Sequence, residues 1–144
     1  MPGPPAVWVV VLNWNGAADT LDCLQSLKRL RYPRLTTVVV DNGSAPAEAD
    51  GIDASGLARA VLRQRENLGF AGGCNVGTRY ALEREPAYVW LLNNDTVVDP
   101  LCLDALVAAG ERDGRIGLLS PVLYDYDTPD VIQFAGTVLD LPGQ

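Results

Sequence analysis

Asn93, Asn94 and Asp95 follow directly on an uncharged apolar run, Val89-Trp90-Leu91-Leu92. Such a run reads as a strand buried on both faces, as inside a parallel sheet. Its abrupt polar end puts one carboxylate and two amides just past the carboxyl end of a central strand, where ligands bind in open α/β sheets. Carboxylate and amide oxygens are hard donors suited to Mg²⁺ or Mn²⁺. One carboxylate alone is a weak metal site; it becomes a good one when a ligand brings phosphate oxygens to the same ion. Asn and Asp are also common turn residues, so these three positions alone leave a plain turn open.

Two more strand-like runs end the same way. Ala6 to Leu12 is apolar and rich in β-branched residues, and it stops at Asn13-Trp14-Asn15-Gly16. Thr36 to Val40 stops at Asp41-Asn42-Gly43-Ser44. In a parallel sheet these ends share one edge with Asn93 to Asp95, so their polar residues make one composite site. A glycine-rich stretch from Glu66 to Gly77, read as a loop leading into a helix, joins them. Glycine lets a backbone approach a ligand closely, and a helix N-terminus favours an anion.

The elements that must position these residues alternate. A helix is expected from Ala18 to Arg31, capped by Asp19 or Thr20, with Leu21, Leu24, Leu27 and Leu30 as its apolar stripe and Pro33 barring continuation. Ala45 to Gly56 reads as a loop with room for a short helix, and Ala58 to Leu62 as a short strand. The helix after the glycines is expected to run to Arg84, before Pro86. Asp99-Pro100 starts another, with Leu103, Leu106 and Val107 buried and Gly114 as C-cap. Ile116 to Leu119 reads as a strand. Beyond Pro121 only short apolar pieces remain, at Val131 to Ala135 and Thr137 to Leu141, after an exposed loop at Tyr124 to Asp127. The plan is α/β, a doubly wound, mostly parallel sheet flanked by helices.

At 144 residues the chain is expected to be one domain. No apolar run is long enough to cross a membrane, and the first residues lack the basic start of a signal peptide. A net charge of −7 argues against a nucleic-acid partner. Cys23, Cys74 and Cys102 are isolated, which speaks against disulfides or zinc and for a reducing cytoplasm. There is no histidine. That removes Ser-His-Asp and Cys-His machinery and leaves acid–base work to carboxylates. The first strand is not followed by G-x-G-x-x-G, and no G-x-x-x-x-G-K-[ST] occurs. Dinucleotide-binding Rossmann and P-loop readings therefore fail.

Taken together, V-V-V-L-N-W-N-G, V-V-V-D-N-G-S, N-L-G-F-A-G-G-C-N-V-G and L-L-N-N-D-T-V-V-D-P resemble the successive motifs of family 2 glycosyltransferases with the GT-A fold. Within that family the chain resembles the bacterial rhamnosyltransferase-like members, and the resemblance runs from residue 7 to about residue 141. It implies that Asn13, Asn15 and Asp41 cradle a nucleotide, with Asp41 accepting the imide N–H of uracil or thymine. Asn67, Gly69, Gly73 and Asn75 would lie around the nucleotide and donor sugar. Asn93 and Asn94 would stand in the D-x-D-like motif with Asp95 as the metal residue, Asn93 replacing the first acid. The implied partners are a UDP- or dTDP-sugar donor, dTDP-rhamnose among them, with Mg²⁺ or Mn²⁺, and a saccharide or lipid-linked acceptor. The place implied is the cytoplasm, peripherally at the inner membrane face. The family's catalytic base and acceptor region are expected downstream of Gln144; Asp125, Asp127, Asp130 and Asp140 do not stand in its base motif.

Other readings stay open beside these roles. Asp41 could be a turn residue, Gly72-Gly73 could serve close helix packing, and Asn67 and Asn75 could brace a loop. Trp8 and Trp90 fit a core; Trp14, beside the turn, fits a ligand. Arg63 and Arg65 could steer a diphosphate or simply be solvated. A binding module without transfer activity is the second functional class. A nucleotidyltransferase is the third, though N-W-N-G lacks the basic glycine-rich loop typical there.

Overall fold

The computed structural model describes residues 3–137. By contacts the chain divides into two compact units, Met1–Leu101 and Cys102–Gln144.

The first unit runs β1 (Val7–Asn13), α1 (Ala17–Lys28), β2 (Leu35–Asp41), α2 (Pro46–Ala54), β3 (Ala60–Arg63), α3 (Gly69–Leu82) and β4 (Tyr88–Asn93). Its four strands form one sheet in the order β3-β2-β1-β4, every neighbouring pair parallel. The α/β plan read from the alternation of elements is the one observed. Register follows from burial. Val10, Val38 and Val40 point to one face and pack with Leu12, Leu62, Val76 and Tyr80. The alternate residues Val7, Val9, Val11 and Val39 point to the other face and are equally buried. A one-residue slip would exchange the two sets. Asn13 therefore lies opposite Asp41, and Leu12 opposite Asn93.

Several local expectations need correction. The glycine-rich stretch is not a loop. The α3 helix begins at Gly69, so Gly72, Gly73, Asn75 and Gly77 are helical. The reason is packing. A Cβ at Gly77 would collide with Val10 Cγ1 and come within 2.9 Å of Val40 Cγ2, and one at Gly73 would collide with Leu12 Cδ1. These glycines let the helix lie close on the sheet, a gain that outweighs their poor helix propensity. Ala45 to Gly56 is mostly helix as well, because Pro46 opens α2 and Ala49 and Ile52 are buried.

The α1 helix starts at Ala17 with Gly16 as its N-cap, not Asp19 or Thr20. Its first N–H, on Ala17, is met from α2 by Glu48 Oε2 at 2.8 Å. Its buried face is Thr20, Cys23, Leu24, Ser26 and Leu27, while Leu21 and Leu30 are only half-buried. The β4 strand is not buried on both faces. It pairs with β1 alone among the described residues, which makes it an edge of the sheet, and Leu91 is 49% exposed. A local apolar run cannot report whether a neighbour pairs on its far side.

The second unit holds α4 (Cys102–Gly110) and an antiparallel pair, β5 (Leu123–Tyr124) with β6 (Ile132–Phe134). Leu103 and Gly110 are the buried residues of α4, which ends well before Gly114. Ile116 to Leu119 is not a strand, and Leu118 is largely exposed. It has no strand alongside it among the described residues. The expected apolar piece at Thr137 to Leu141 lies, apart from Thr137, outside the described residues.

Candidate functional site

Parallel pairing brings the ends of β1, β2 and β4 to one edge, and the polar residues there form a connected network. Asn13 is fully buried at the end of β1. Its Nδ2 donates to Asp41 Oδ1 at 2.8 Å and to Ser44 Oγ at 3.1 Å. Its Oδ1 accepts from the Thr20 hydroxyl at 2.8 Å. Asp41 is 2% exposed. Its Oδ2 accepts a long bond from the Ser44 N–H at 3.3 Å. Each carboxylate oxygen carries two lone pairs, so acceptor capacity remains on both. Burying a carboxylate without partners would be costly; Asn13 and the Ser44 turn make this one tolerable.

Asn15 closes the network above them. Its backbone lies in the left-handed region at φ 51, which Asn tolerates better than most residues. Its N–H donates to Ser44 Oγ at 2.9 Å, and its Oδ1 accepts from the Ala45 N–H at 3.1 Å. The neighbouring Trp14 is 58% exposed, whereas Trp8 packs edge-on against Tyr80 and lies beneath the Arg84 guanidinium.

Asn67 and Gly69 are joined to this edge through Asn42, itself 2% exposed. Asn42 Nδ2 donates to Asn67 Oδ1 at 2.9 Å and to the Gly69 carbonyl at 3.2 Å, and Asn42 Oδ1 accepts from the Leu68 N–H at 3.0 Å. Asn67 Oδ1 also accepts from the Gly69 N–H at 2.8 Å. Gly43, at φ +79, lets this turn lie against the Glu66–Asn67 backbone, since a Cβ would come within 2.6 Å of the Glu66 carbonyl carbon. Gly73 sits inside α3, its α-carbon facing Leu12 and Asn42. Asn75 is exposed on α3. Two residues from Gly73, it lies about 200° further round the helix and faces away from the sheet.

At the end of β4, Asn94 turns inward. Its Nδ2 donates to Thr20 Oγ1 at 3.0 Å and to the Gly16 carbonyl at 3.3 Å. Asn93 and Asp95 are exposed, and their side chains hydrogen-bond to none of the described residues. Asp95 still acts on Cys23 electrostatically. Burial first, and then the Asp95 charge, push the Cys23 thiol up to about 12, with a Thr96 backbone hydrogen bond pulling the other way. Among the described residues no group of three or more His, Cys, Asp or Glu could hold a metal. The hard oxygens of Asp95 and its flanking amides fit Mg²⁺ or Mn²⁺ only as part of a shell completed by a ligand.

Sequence reasoning missed Thr20, Asn42, Ser44 and Glu48. A signal existed for Thr20, a polar residue on the helix face that also carries Cys23, Leu24 and Leu27. Arg63, weighed as a phosphate ligand, is held instead by Asp50 at 2.6 Å and Asp53 at 3.3 Å. Asp125 accepts from the Thr128 hydroxyl, the Thr128 N–H and the Asp127 N–H, which hold its carboxyl below the ordinary range. A hollow of about 510 Å³ lies at the other end of the sheet, lined among others by Lys28, Tyr32, Thr36 and Arg59, and none of the expected site residues reaches it.

Residues 8–136 match the family described as Glycosyl transferase family 2. The chain belongs to this family. Among curated relatives of the family 2 chain, the galactofuranosyltransferase GlfT1 of Mycobacterium tuberculosis (strain H37Rv) is 31% identical over 121 residues, which cover 81% of the chain and 38% of GlfT1. GlfT1 of Mycolicibacterium smegmatis is 28% identical over 98 residues, covering 67% of the chain and 32% of the relative. The family 2 chain thus spans less than two fifths of these relatives. Of solved structures, the mannosyltransferase PcManGT of Pyrobaculum calidifontis, in complex with GDP-Man and Mn²⁺, superposes with a TM-score of 0.70 at 24% identity, over 81% of this chain and 36% of that one. Residues 1–349 of S. aureus TarS, in complex with UDP-GlcNAc, give 0.64 at 22% identity, over 74% and 31%. The fold is that of these GT-A glycosyltransferases.

Proposed function

We propose that this chain is the donor-binding part of a metal-dependent, inverting glycosyltransferase that takes a UDP- or dTDP-sugar. The observation that carries the reading is the single hydrogen-bonded network uniting the ends of β1, β2 and β4, Asp41-Asn13-Thr20-Asn94, one residue from the exposed Asp95. Asp41 keeps acceptor capacity for the N3–H of uracil or thymine, a donor that adenine lacks. Trp14 offers an open face on which a base can stack. Asn15, Asn67 and Gly69 are assigned to the nucleotide and donor sugar; Gly73, packed towards Leu12, lets α3 lie close enough to form that site, and Asn75, which faces away from the sheet, is not part of it. The start of α3, held by Asn42, supplies N–H groups towards an anion. Asn93, Asn94 and Asp95 would hold Mg²⁺ or Mn²⁺ together with diphosphate oxygens. Such an ion supplies Lewis-acid neutralisation of the leaving diphosphate. The acceptor, a saccharide or lipid-linked hydroxyl, would attack the anomeric carbon from the face opposite the nucleotide, which inverts it.

A galactofuranosyl donor, as in the names of the curated relatives, and a rhamnosyl donor are the two sugars to compare first. No helix among the described residues is long and apolar enough to cross a membrane. We place the protein in the cytoplasm, peripheral to the inner membrane face. A second reading, a nucleotide-sugar-binding module without transfer activity, is favoured by one observation: Asp125 is committed to its own turn, which makes it a poor general base.

Calorimetry with Mn²⁺ tests the main reading. UDP and dTDP should bind well above ADP, and Asp41→Ala, which removes the acceptor, should erase the preference. Equal affinity of the wild type for ADP and UDP would sink the assignment.

A further inference from the structure

Thr20 is fully buried on α1, on the face that also buries Cys23, Leu24 and Leu27. Nothing in its position calls for a hydroxyl except the two strand ends it joins. It donates to Asn13 Oδ1 at 2.8 Å and accepts from Asn94 Nδ2 at 3.0 Å.

The direction of this relay is fixed by chemistry. An ionised carboxylate only accepts, so Asn13 must turn its Nδ2 to Asp41. Its Oδ1 therefore faces Thr20. A hydroxyl has one proton; once that proton goes to Asn13, Thr20 can only accept from Asn94. Asn94 must then turn its amide nitrogen inward, where it also reaches the Gly16 carbonyl at 3.3 Å. With Nδ2 committed, Oδ1 is the polar atom Asn94 has left. It has no partner among the described residues, and no fully buried side-chain nitrogen or oxygen there lacks one, so Asn94 Oδ1 is not sealed from solvent.

We propose that Thr20 is a positioning residue that makes the metal-side turn present oxygen rather than N–H to a divalent cation. The charge of Asp41, relayed through Asn13 and Thr20, locks the amide of Asn94 with its carbonyl oxygen outward, next in sequence to Asp95. An unlocked amide would spend part of its time offering N–H groups, which repel a cation. The lock also explains how a turn with a single carboxylate can serve Mg²⁺ or Mn²⁺: Asn94 adds a second hard oxygen whose orientation is set before the ion arrives. The inference rests on the metal–nucleotide reading above, and it predicts a coupling that reading alone does not, between a hydroxyl inside α1 and the metal dependence of binding.

The test compares wild type, Thr20→Val, which keeps shape and removes the hydroxyl, and Thr20→Ser, which restores it. The first measurement is the ratio of UDP affinity with and without Mn²⁺. Thr20→Val should lower that ratio at least fivefold, and Thr20→Ser should bring it back to within about twofold of wild type. A purely structural Thr20 would lower stability, or both affinities equally, and leave the ratio unchanged; that result overturns the proposal. The second measurement needs no nucleotide. Nuclear magnetic resonance follows hydrogen exchange of the Asn94 side-chain amide in the metal-free protein. Protected amide protons in wild type and Thr20→Ser, with the protection weakened in Thr20→Val, are expected. If wild type shows no metal-dependent UDP binding, the functional reading fails while this measurement still judges the relay. An Asn94 amide that behaves alike in all three proteins overturns it.

Discussion

The ends of β1 and β2 and the end of β4 meet at one edge but are built differently. Asn13, Asp41 and Asn42 are 0–2% exposed, and every one of them is held by side chains from other elements. Asn93 and Asp95 are exposed and hydrogen-bonded through their side chains to nothing described. The first group is fixed when the sheet folds. The second is left open, and on the proposed reading it would gain its partners only with a ligand. Damage to the first should therefore appear in stability, and damage to the second in binding.

The largest expected effect comes from Asn13→Ala. Asp41 would lose a charge-assisted bond, and the Thr20 hydroxyl would lose its acceptor, at a cost of about 3–5 kcal/mol in urea unfolding. A loss below about 1 kcal/mol would mean that the buried end is no more fixed than the open one.

Next is a pH effect at the boundary between the two groups. Cys23 keeps its proton to about 12 in the folded chain, against 9.0 for an unperturbed thiol. The folded state therefore binds the extra proton between those values, and the stability present below pH 9 is lost as pH rises towards 12. Unfolding free energies of wild type and Cys23→Ala should diverge across that window, with wild type falling faster. Adding Asp95→Ala should narrow the gap, because the Asp95 charge is one of the causes. Parallel pH curves would show that the Cys23 environment is not as described.

Gly77→Ala should destabilise by about 1–3 kcal/mol through overpacking against Val10 and Val40. Thermal unfolding reads this directly, and nucleotide affinity should follow only as far as α3 is displaced. The smallest effect on stability, within about 0.5 kcal/mol, belongs to Asp95→Ala. The same variant should lose all metal enhancement of UDP binding. An Asp95→Ala protein that is clearly destabilised, or one that binds Mn²⁺-UDP normally, removes the distinction between the two groups.

The strands that fix the site were legible because β1 and β2 are continuous β-branched runs buried on both faces, a signal local in sequence. Their polar ends, Asn13 and Asp41, were legible for the same reason: each interrupts such a run. The edge position of β4 was not, since Val89 to Leu92 has the same apolar character as Val9 to Leu12 and pairing is a long-range fact. The glycine-rich start of α3 was read as loop because propensity speaks against helix there; Val10 and Leu12, some sixty residues earlier in sequence, decide otherwise. Asn42 and Ser44 stayed hidden because they carry no charge and sit in a turn where such residues are ordinary, whereas Thr20 showed itself only as a polar residue on an apolar helix face. Only the partners that the fold delivers distinguish them.

The bond from Ala17 N–H to Glu48 has a consequence for how a ligand is guided. Both α1 and α3 begin at the edge where the strands end, and each helix would offer a positive dipole end to an anion. At α1 a full negative charge already sits on the first N–H. At α3 the equivalent contacts, to Leu68 and Gly69, come from neutral amides. The two ends are thus unlike in potential. On the proposed reading, an approaching diphosphate would be turned away from α1 and drawn towards α3, over the Asn42–Asn67 clamp. In Glu48→Gln this asymmetry should shrink, and the salt dependence of nucleotide association is where the change would be read.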